Sequence, residues 1–170
     1  MKHWTRILPF LLIFLFLAAS LHSQDKFYRV KRVVDGDTLL LTNGDRVRLI
    51  GVDTPEVHRS KKLYRDAKRT GRDVETIIAL GKKASAFTRS IVDKKEIRLE
   101  YDQANAHIRH RDRYGRLLAY VYLKDGTFLN AEIIKQGYGF AYTRFPFRYM
   151  EDFRRYEREA RENRRGLWGE

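Results

Sequence analysis

The 170-residue chain contains no cysteine. That absence excludes a disulfide framework and any thiolate metal site, so a bound metal would have to take oxygen or histidine ligands. Nor is there an internal repeat or a low-complexity stretch to point toward a solenoid or a disordered linker. A spanning helix needs about 20 apolar residues, and the hydrophobic stretch Ile7 to Ala19, "ILPFLLIFLFLAA", falls short of that. Acidic residues are also in the minority, with 22 Asp and Glu against 35 Lys and Arg.

The apolar stretch follows a cationic start, Met-Lys-His-Trp-Thr-Arg, and leads into the small and polar Ser20 and "LHSQD". This is the layout of an export signal over residues 1–23, with an exit at Ser20 or at Ser23; an uncleaved anchor is the alternative. The first 23 residues hold Lys2 and Arg6 and no acid, so residues 24–170 still carry a net charge of +11. Such an excess favours polyanionic partners, nucleic acid among them, and says nothing of fold. The 147 positions from 24 to 170 suffice for one domain that buries about two thirds of its unfolded surface.

Two apolar runs, Tyr28 to Leu41 and Arg46 to Val52, flank the turn signal Asn43-Gly44 and read as a hairpin, with Asp35-Gly36-Asp37 expected to bend or bulge the first run. Residues 57–83 begin as a basic, polar loop and turn helical toward Val74 to Leu80, and Ala84 to Val92 has helical spacing. Glu96 to Tyr101 and Arg116 to Leu123 read as strands, Leu129 to Gln136 as a helix ended by Gly137, and Tyr149 to Arg165 as a charged helix ended by Gly166. Strands followed by helices in under 150 residues suggest an α+β domain whose sheet must close or be covered, and a five-stranded OB-type barrel fits.

The segment "VDGDTLLLTNGDRVRLIGVDTPE", residues 34–56, gathers five acids in an otherwise basic chain. Asp37, Asp53 and Glu56 come from adjacent strand ends and the loop after them, and hard oxygens on neighbouring strands suit Ca2+. Taken singly, Asp-Gly and Asp-Thr-Pro are also ordinary turn chemistry. Arg48 weighs against that plain reading, because a charge inside an apolar strand is costly without a partner or a task. A second stretch, "HRDRYGRLLAYVY", sets Arg113, Tyr114 and Arg116 around a glycine turn, offering guanidinium forks for phosphate and a ring for stacking. His107 and His110 lack a nearby third ligand and read as a surface loop. Arg154, Arg158, Arg161 and Arg165, interleaved with glutamates, read as a salt-bridged solvent face, with Met150, Phe153, Tyr156 and Ala160 turned inward.

Together, "VVDGDTLLL", "RVRLIGVDTPE", "ASAF", "DRYGRLLAYVY", "LNAEIIKQGYGFAY" and "NRRGLW" resemble, in order and spacing, the staphylococcal nuclease (thermonuclease-like) family over about residues 28 to 168. The resemblance implies a five-stranded OB-fold barrel with about three helices packed against it. It further implies a secreted endonuclease that uses Ca2+ to cut DNA and RNA to 3′-phosphate products. By motif position, Asp37, Asp53 and the Thr54 carbonyl would hold the ion, with Asp35 reaching it through water. Glu56 would act as general base, and Arg48 and Arg116 would grip the phosphate. Arg113, Tyr114 and Tyr142 would contact the nucleotide. The substrate would be nucleic acid, with no stable protein partner and a monomer expected; a non-catalytic binding module of the same family is the alternative. The 27-residue segment between Glu56 and Ala84 is longer than in the family's best-known member, which the resemblance leaves as the clearest departure.

Overall fold

The structure, a computed structural model, describes residues 26–169; the expected export signal at 1–23 lies outside them. Val30 and Val33 are both buried in strand β1 (Phe27–Asp35) although three positions apart. Strict alternation would put them on opposite faces, and β1 accommodates them through register shifts between Val30 and Arg32 and between Val33 and Asp35. The irregular strand can then pair on both edges: residues 30–35 with β2 (Thr38–Leu41) and residues 27–29 with the later strand β5 (Glu96–Glu100).

The remaining barrel strands are β3 (Arg46–Leu49) and β6 (Leu117–Leu123). They close the order β1-β2-β3-β6-β5, with β3 and β6 parallel and every other neighbouring pair antiparallel. Closure leaves no free edge in this sheet, the condition under which a small barrel escapes edge-to-edge pairing. A separate two-stranded sheet joins β4 (Val52–Asp53) to β7 (Phe140–Ala141), an element with no sequence expectation behind it. The architecture is the expected α+β class with a five-stranded OB-fold barrel. Leu39, Leu41, Val47, Leu49, Ile97, Ala119 and Val121 fill its core.

Two local expectations change. Asp35-Gly36-Asp37 does not bulge a continuous strand; Asp35 pairs with Thr38, so Gly36 and Asp37 form the turn between β1 and β2. A Cβ on Gly36 would lie 2.8 Å from the Thr54 side chain, so glycine lets this turn approach the loop after β4. The basic loop that starts 57–83 is confined to residues 57–60 and gives way to helix α1 (Lys61–Thr70), capped by Ser60, whose hydroxyl accepts from Leu63 N–H at 3.1 Å, and ended by Gly71 at φ 70°. Its fully buried anchor is Leu63, too narrow an apolar stripe to stand out among lysines and arginines. The two helical stretches at Val74 to Leu80 and Ala84 to Val92 are one helix, α2 (Val74–Val92), packed on β1.

Helices α3 (Leu129–Lys135) and α4 (Met150–Glu162) appear where expected, but α4 stops at Glu162 with Asn163 as its cap rather than at Gly166, which opens a short 3-10 turn; among the described residues there are four α-helices. Phe153 and Ala160 of α4 are buried, Met150 and Tyr156 pack against the core, and ion pairs such as Arg154–Glu151 line the outer face. Two buried polar side chains tie the layers. Asn130, at the start of α3, accepts from Val121 N–H at 2.9 Å and donates to the carbonyls of Ile50 at 3.0 Å and Ala119 at 3.3 Å. Asp102 accepts from the Tyr120 hydroxyl, from Arg148 N–H at 2.8 Å and from Ala104 N–H at 2.9 Å. Burial alone would raise the Asp102 pKa, but these donors outweigh it and hold the carboxyl below its ordinary value, while burial and Asp102 push the Tyr120 phenol up.

Asp102→Ala should cost about 3 kcal/mol, because it strands a buried phenol and two amide donors. A group whose folded pKa is depressed stabilises above its unfolded pKa, near 3.9 for aspartate, and loses that contribution as pH falls through the folded value. In urea unfolding, the gap between wild type and Asp102→Ala should therefore be full at about pH 7 and smaller at about pH 3.

Candidate active site

Strand register brings the acids of the opening segment to one end of the barrel. Thr38 pairs with Arg48, which sets Asp37 beside β3, and β4 follows β3 after the Gly51 turn to deliver Asp53. Gly51 has φ 74° and lies against Phe147 and Phe153, where a Cβ would come within 2.6 Å of the Phe147 ring, so both the conformation and the space require glycine. Arg48, costly in an apolar strand, has its partners: Nη1 is 2.9 Å from Asp37 Oδ2 and Nη2 is 3.2 Å from Asp53 Oδ1.

Asp37 is only 7% exposed, and its carboxylate organises the loop. Oδ2 accepts from Thr54 N–H at 2.9 Å and from Thr54 Oγ1 at 3.0 Å, while Oδ1 accepts from Thr38 Oγ1 at 2.9 Å. The loop is backed by α2, where Gly81 lies directly behind it; a Cβ there would sit 2.5 Å from the Glu56 carbonyl oxygen and 2.7 Å from that of Pro55. Thr88 of the same helix donates to the Gly36 carbonyl at 2.7 Å and fixes the neighbouring turn.

Lys62, in the first turn of α1, is the site residue that sequence reading missed. Its Nζ lies 3.0 Å from Glu56 Oε1, 3.3 Å from Asp53 Oδ1, 3.2 Å from the Thr54 carbonyl and 3.7 Å from Asp66 Oδ2. Ser60, the cap of α1, also donates to Glu56 Oε2 at 3.1 Å, so one hydroxyl joins the helix start to the glutamate. A helix within the basic segment was the needed clue, since only helical geometry turns Lys62 back over the loop.

The electrostatics follow from this crowding. Burial raises the Asp53 pKa, with Asp37 adding to it, against the opposing pull of Lys62 and Arg48. Burial likewise raises Asp35, helped by Asp37 and Glu56. Burial pulls the Lys62 pKa down, but Asp53 and Glu56 overcome it and hold the amine above its ordinary value. Among the described residues no three His, Cys, Asp or Glu side chains converge as a ready metal cluster. What converges instead is a mixed oxygen set, the Asp53 carboxylate and the Thr54 carbonyl on one cation, with Asp37 bonded to the same Thr54. Such hard oxygens fit Ca2+, and the ammonium among them shows that the set accepts positive charge. His107 is exposed, whereas His110 stacks on Tyr101 with ring centroids 4.8 Å apart.

The second predicted group surrounds the turn before β6. Arg48 pairs with Leu118 across the parallel β3–β6 ladder, and Arg116 lies two residues earlier, between the Gly115 turn and the start of β6. Its Nε and Nη2 both lie 2.7 Å from Asp112 Oδ2, and Asp112 also accepts the backbone N–H groups of Tyr114 and Arg116. Burial would raise the Asp112 pKa, yet these donors hold it below its usual value. Tyr114 is 68% exposed, with the Arg113 guanidinium 4.8 Å and that of Arg116 5.4 Å from its ring centroid. Tyr142 stands apart from that trio: its N–H donates to the Gly51 carbonyl at 2.9 Å, and its ring lies 6.2 Å from that of exposed Phe145.

Comparison with known proteins places the chain in a family. The sequence model of the family described as "Staphylococcal nuclease homologue" matches residues 46–170. The thermonuclease of Staphylococcus hyicus is 32% identical over 151 residues, covering 86% of this chain and 78% of that protein. The thermonuclease of Staphylococcus intermedius is 38% identical over 125 residues, covering 72% and 63% respectively. An uncharacterized protein of Methanocaldococcus jannaschii is 36% identical over 156 residues, covering 86% of this chain and 73% of its own. The match spans more than half of the chain and takes in Arg48, Asp53, Glu56 and Arg116, and the chain belongs to the staphylococcal nuclease homologue family.

Proposed function

We propose that this protein is a Ca2+-dependent phosphodiesterase that cleaves DNA and RNA to 3′-phosphate products. The observation that carries the reading is the convergence of Asp37, Arg48, Asp53 and Glu56 at one barrel end, with Arg116 in the turn just before the adjoining strand β6. The thermonucleases of the two staphylococci and the endonuclease YncB of Bacillus subtilis, 33% identical over 142 residues, support a nuclease. Export through residues 1–23 and a monomeric state belong to the same proposal.

In this reading Asp37, Asp53 and the Thr54 carbonyl would hold Ca2+. When bound, the ion supplies positive charge beside the phosphate and offsets the negative charge that grows there during attack. Glu56 accepts a proton from the attacking water, and Pro55 together with α2 limits its freedom to drift. Arg48 and Arg116 turn their guanidinium groups to the phosphoryl oxygens, where planar forks match the developing charge. The bond from phosphorus to the 5′ oxygen breaks and that oxygen takes a proton from solvent, leaving phosphate on the 3′ side. Arg113, Tyr114 and Tyr142 contact the nucleotide, and the net charge of +11 on residues 24–170 draws in the polymer.

Glu56→Ser and Arg116→Gly should each lower the rate of single-stranded DNA cleavage by about 100-fold or more, with unfolding curves kept. Chelation by EGTA should abolish cleavage and excess Ca2+ restore it. By contrast Arg158→Ala, on the exposed face of α4, should change the rate by no more than about twofold and act through salt dependence. An equal loss from Arg158→Ala and Arg116→Gly would refute the site. Tight, salt-sensitive binding without any cutting would favour a binding module.

Gly81→Ala tests the support behind the loop. Alanine in place of a helical glycine ordinarily stabilises by about 1 kcal/mol, but here the Cβ meets backbone oxygens of Pro55 and Glu56. The loop must shift, and a displacement near 1 Å can cost about 100-fold in rate. The expected result is a folded protein with strongly reduced kcat, read by circular dichroism and the same cleavage assay.

A further inference from the structure

We infer that Lys62 is an internal cation that competes with Ca2+ for its own binding oxygens, so that metal binding must first expel it. The inference rests on the Ca2+ reading above and extends it to regulation of that same site. Two of the oxygens that Lys62 Nζ touches, Asp53 Oδ1 at 3.3 Å and the Thr54 carbonyl at 3.2 Å, belong to the groups assigned to the ion. A third, Glu56 Oε1 at 3.0 Å, belongs to the assigned base. Ca2+ needs its oxygens at about 2.3–2.6 Å. An ammonium and a divalent ion cannot share this oxygen set at contact, because two like charges would then face one another in a partly buried site.

The construction of α1 makes the exchange feasible. Leu63 is fully buried, and Ser60 both caps the helix and bonds Glu56, so the backbone on either side of Lys62 is anchored. Its four-carbon stem remains rotatable, and Asp66, one turn along the same helix at 3.7 Å, gives the displaced ammonium a carboxylate to move toward. While Lys62 is seated, it keeps Asp53 and Glu56 close without the ion. The site is thereby held together in both states, at the expense of Ca2+ affinity. The helix that carries Lys62 lies within the basic segment 57–83, so the competition is built into that segment.

Calorimetric titration of the full chain with Ca2+ tests this directly. Lys62→Met, which keeps the stem and removes the charge, should bind Ca2+ about tenfold more tightly or better, a coupling usual between linked sites. Lys62→Arg, which keeps the charge, should stay within about threefold of wild type. The Ca2+-induced rise in Tm should be larger in Lys62→Met than in wild type. Unchanged or weaker binding by Lys62→Met would overturn the competition.

A measurement on the wild-type chain avoids dependence on variant folding. Acetylation by acetic anhydride, read by mass spectrometry, should modify Lys62 faster when Ca2+ is present, because the ion releases the amine to solvent. Equal or slower modification would overturn the inference. Asp53→Asn separates the two layers: it should weaken Ca2+ binding whatever occupies position 62. If neither wild type nor Lys62→Met binds Ca2+, the metal reading fails and the competition falls with it. If Asp53→Asn weakens binding but Lys62→Met leaves it unchanged, only the competition fails.

Discussion

The Asp37 carboxylate is the interaction on which the candidate site depends. One oxygen receives the amide and hydroxyl of Thr54 and a guanidinium nitrogen of Arg48, and the other receives Thr38. It therefore joins the β1–β2 turn, strand β3 and the loop after β4, three pieces that the barrel brings to one end. A buried carboxylate is tolerable only with such donors around it, and the donors in turn hold the loop that presents Asp53 and Glu56. Stability and chemistry are thus drawn from the same contacts.

The second feature is the mutual neutralisation around that anchor. Asp53 and Glu56 would repel one another in a partly buried space, and Arg48 and Lys62 offset them. The same acids hold the Lys62 amine charged despite its burial. Arg116 is treated in parallel fashion by Asp112, which bonds both the side chain and the turn that carries it. In the proposed reaction both arginines exchange a carboxylate partner for a phosphate, which keeps them oriented before substrate arrives.

Helices α1 and α2 supply the rigid floor. Gly81 admits the Pro55–Glu56 backbone against α2, Thr88 pins the Gly36 turn, and Ser60 ties Glu56 to the start of α1. Loops that carry function gain precision when regular elements hold them from behind. Elsewhere the charge of the chain is spread on surfaces such as the outer face of α4, where Arg154 and Arg155 pair with Glu151 and Asp152. These pairs are exposed and contribute little to stability, which leaves their charge available to a polyanion in the proposed function.

Local chemistry in the amino-acid sequence determined much of this protein. Turn residues at Asn43-Gly44, apolar runs at β3, β5 and β6, and the glycine stop at 137 are short-range signals, legible because period and turn chemistry act over a few residues. The family motifs likewise named Asp37, Arg48, Asp53, Glu56 and Arg116 within continuous stretches. Tertiary structure alone decided the rest. Whether Asp35-Gly36-Asp37 bulges or turns depends on Thr54 and Thr88 closing over it, and α1 depends on a single buried leucine within a basic segment. Lys62 reaches Asp53, Thr54 and Glu56 only because a capped helix folds it back over the loop, a placement that comes from the packing of distant elements rather than from spacing along the chain.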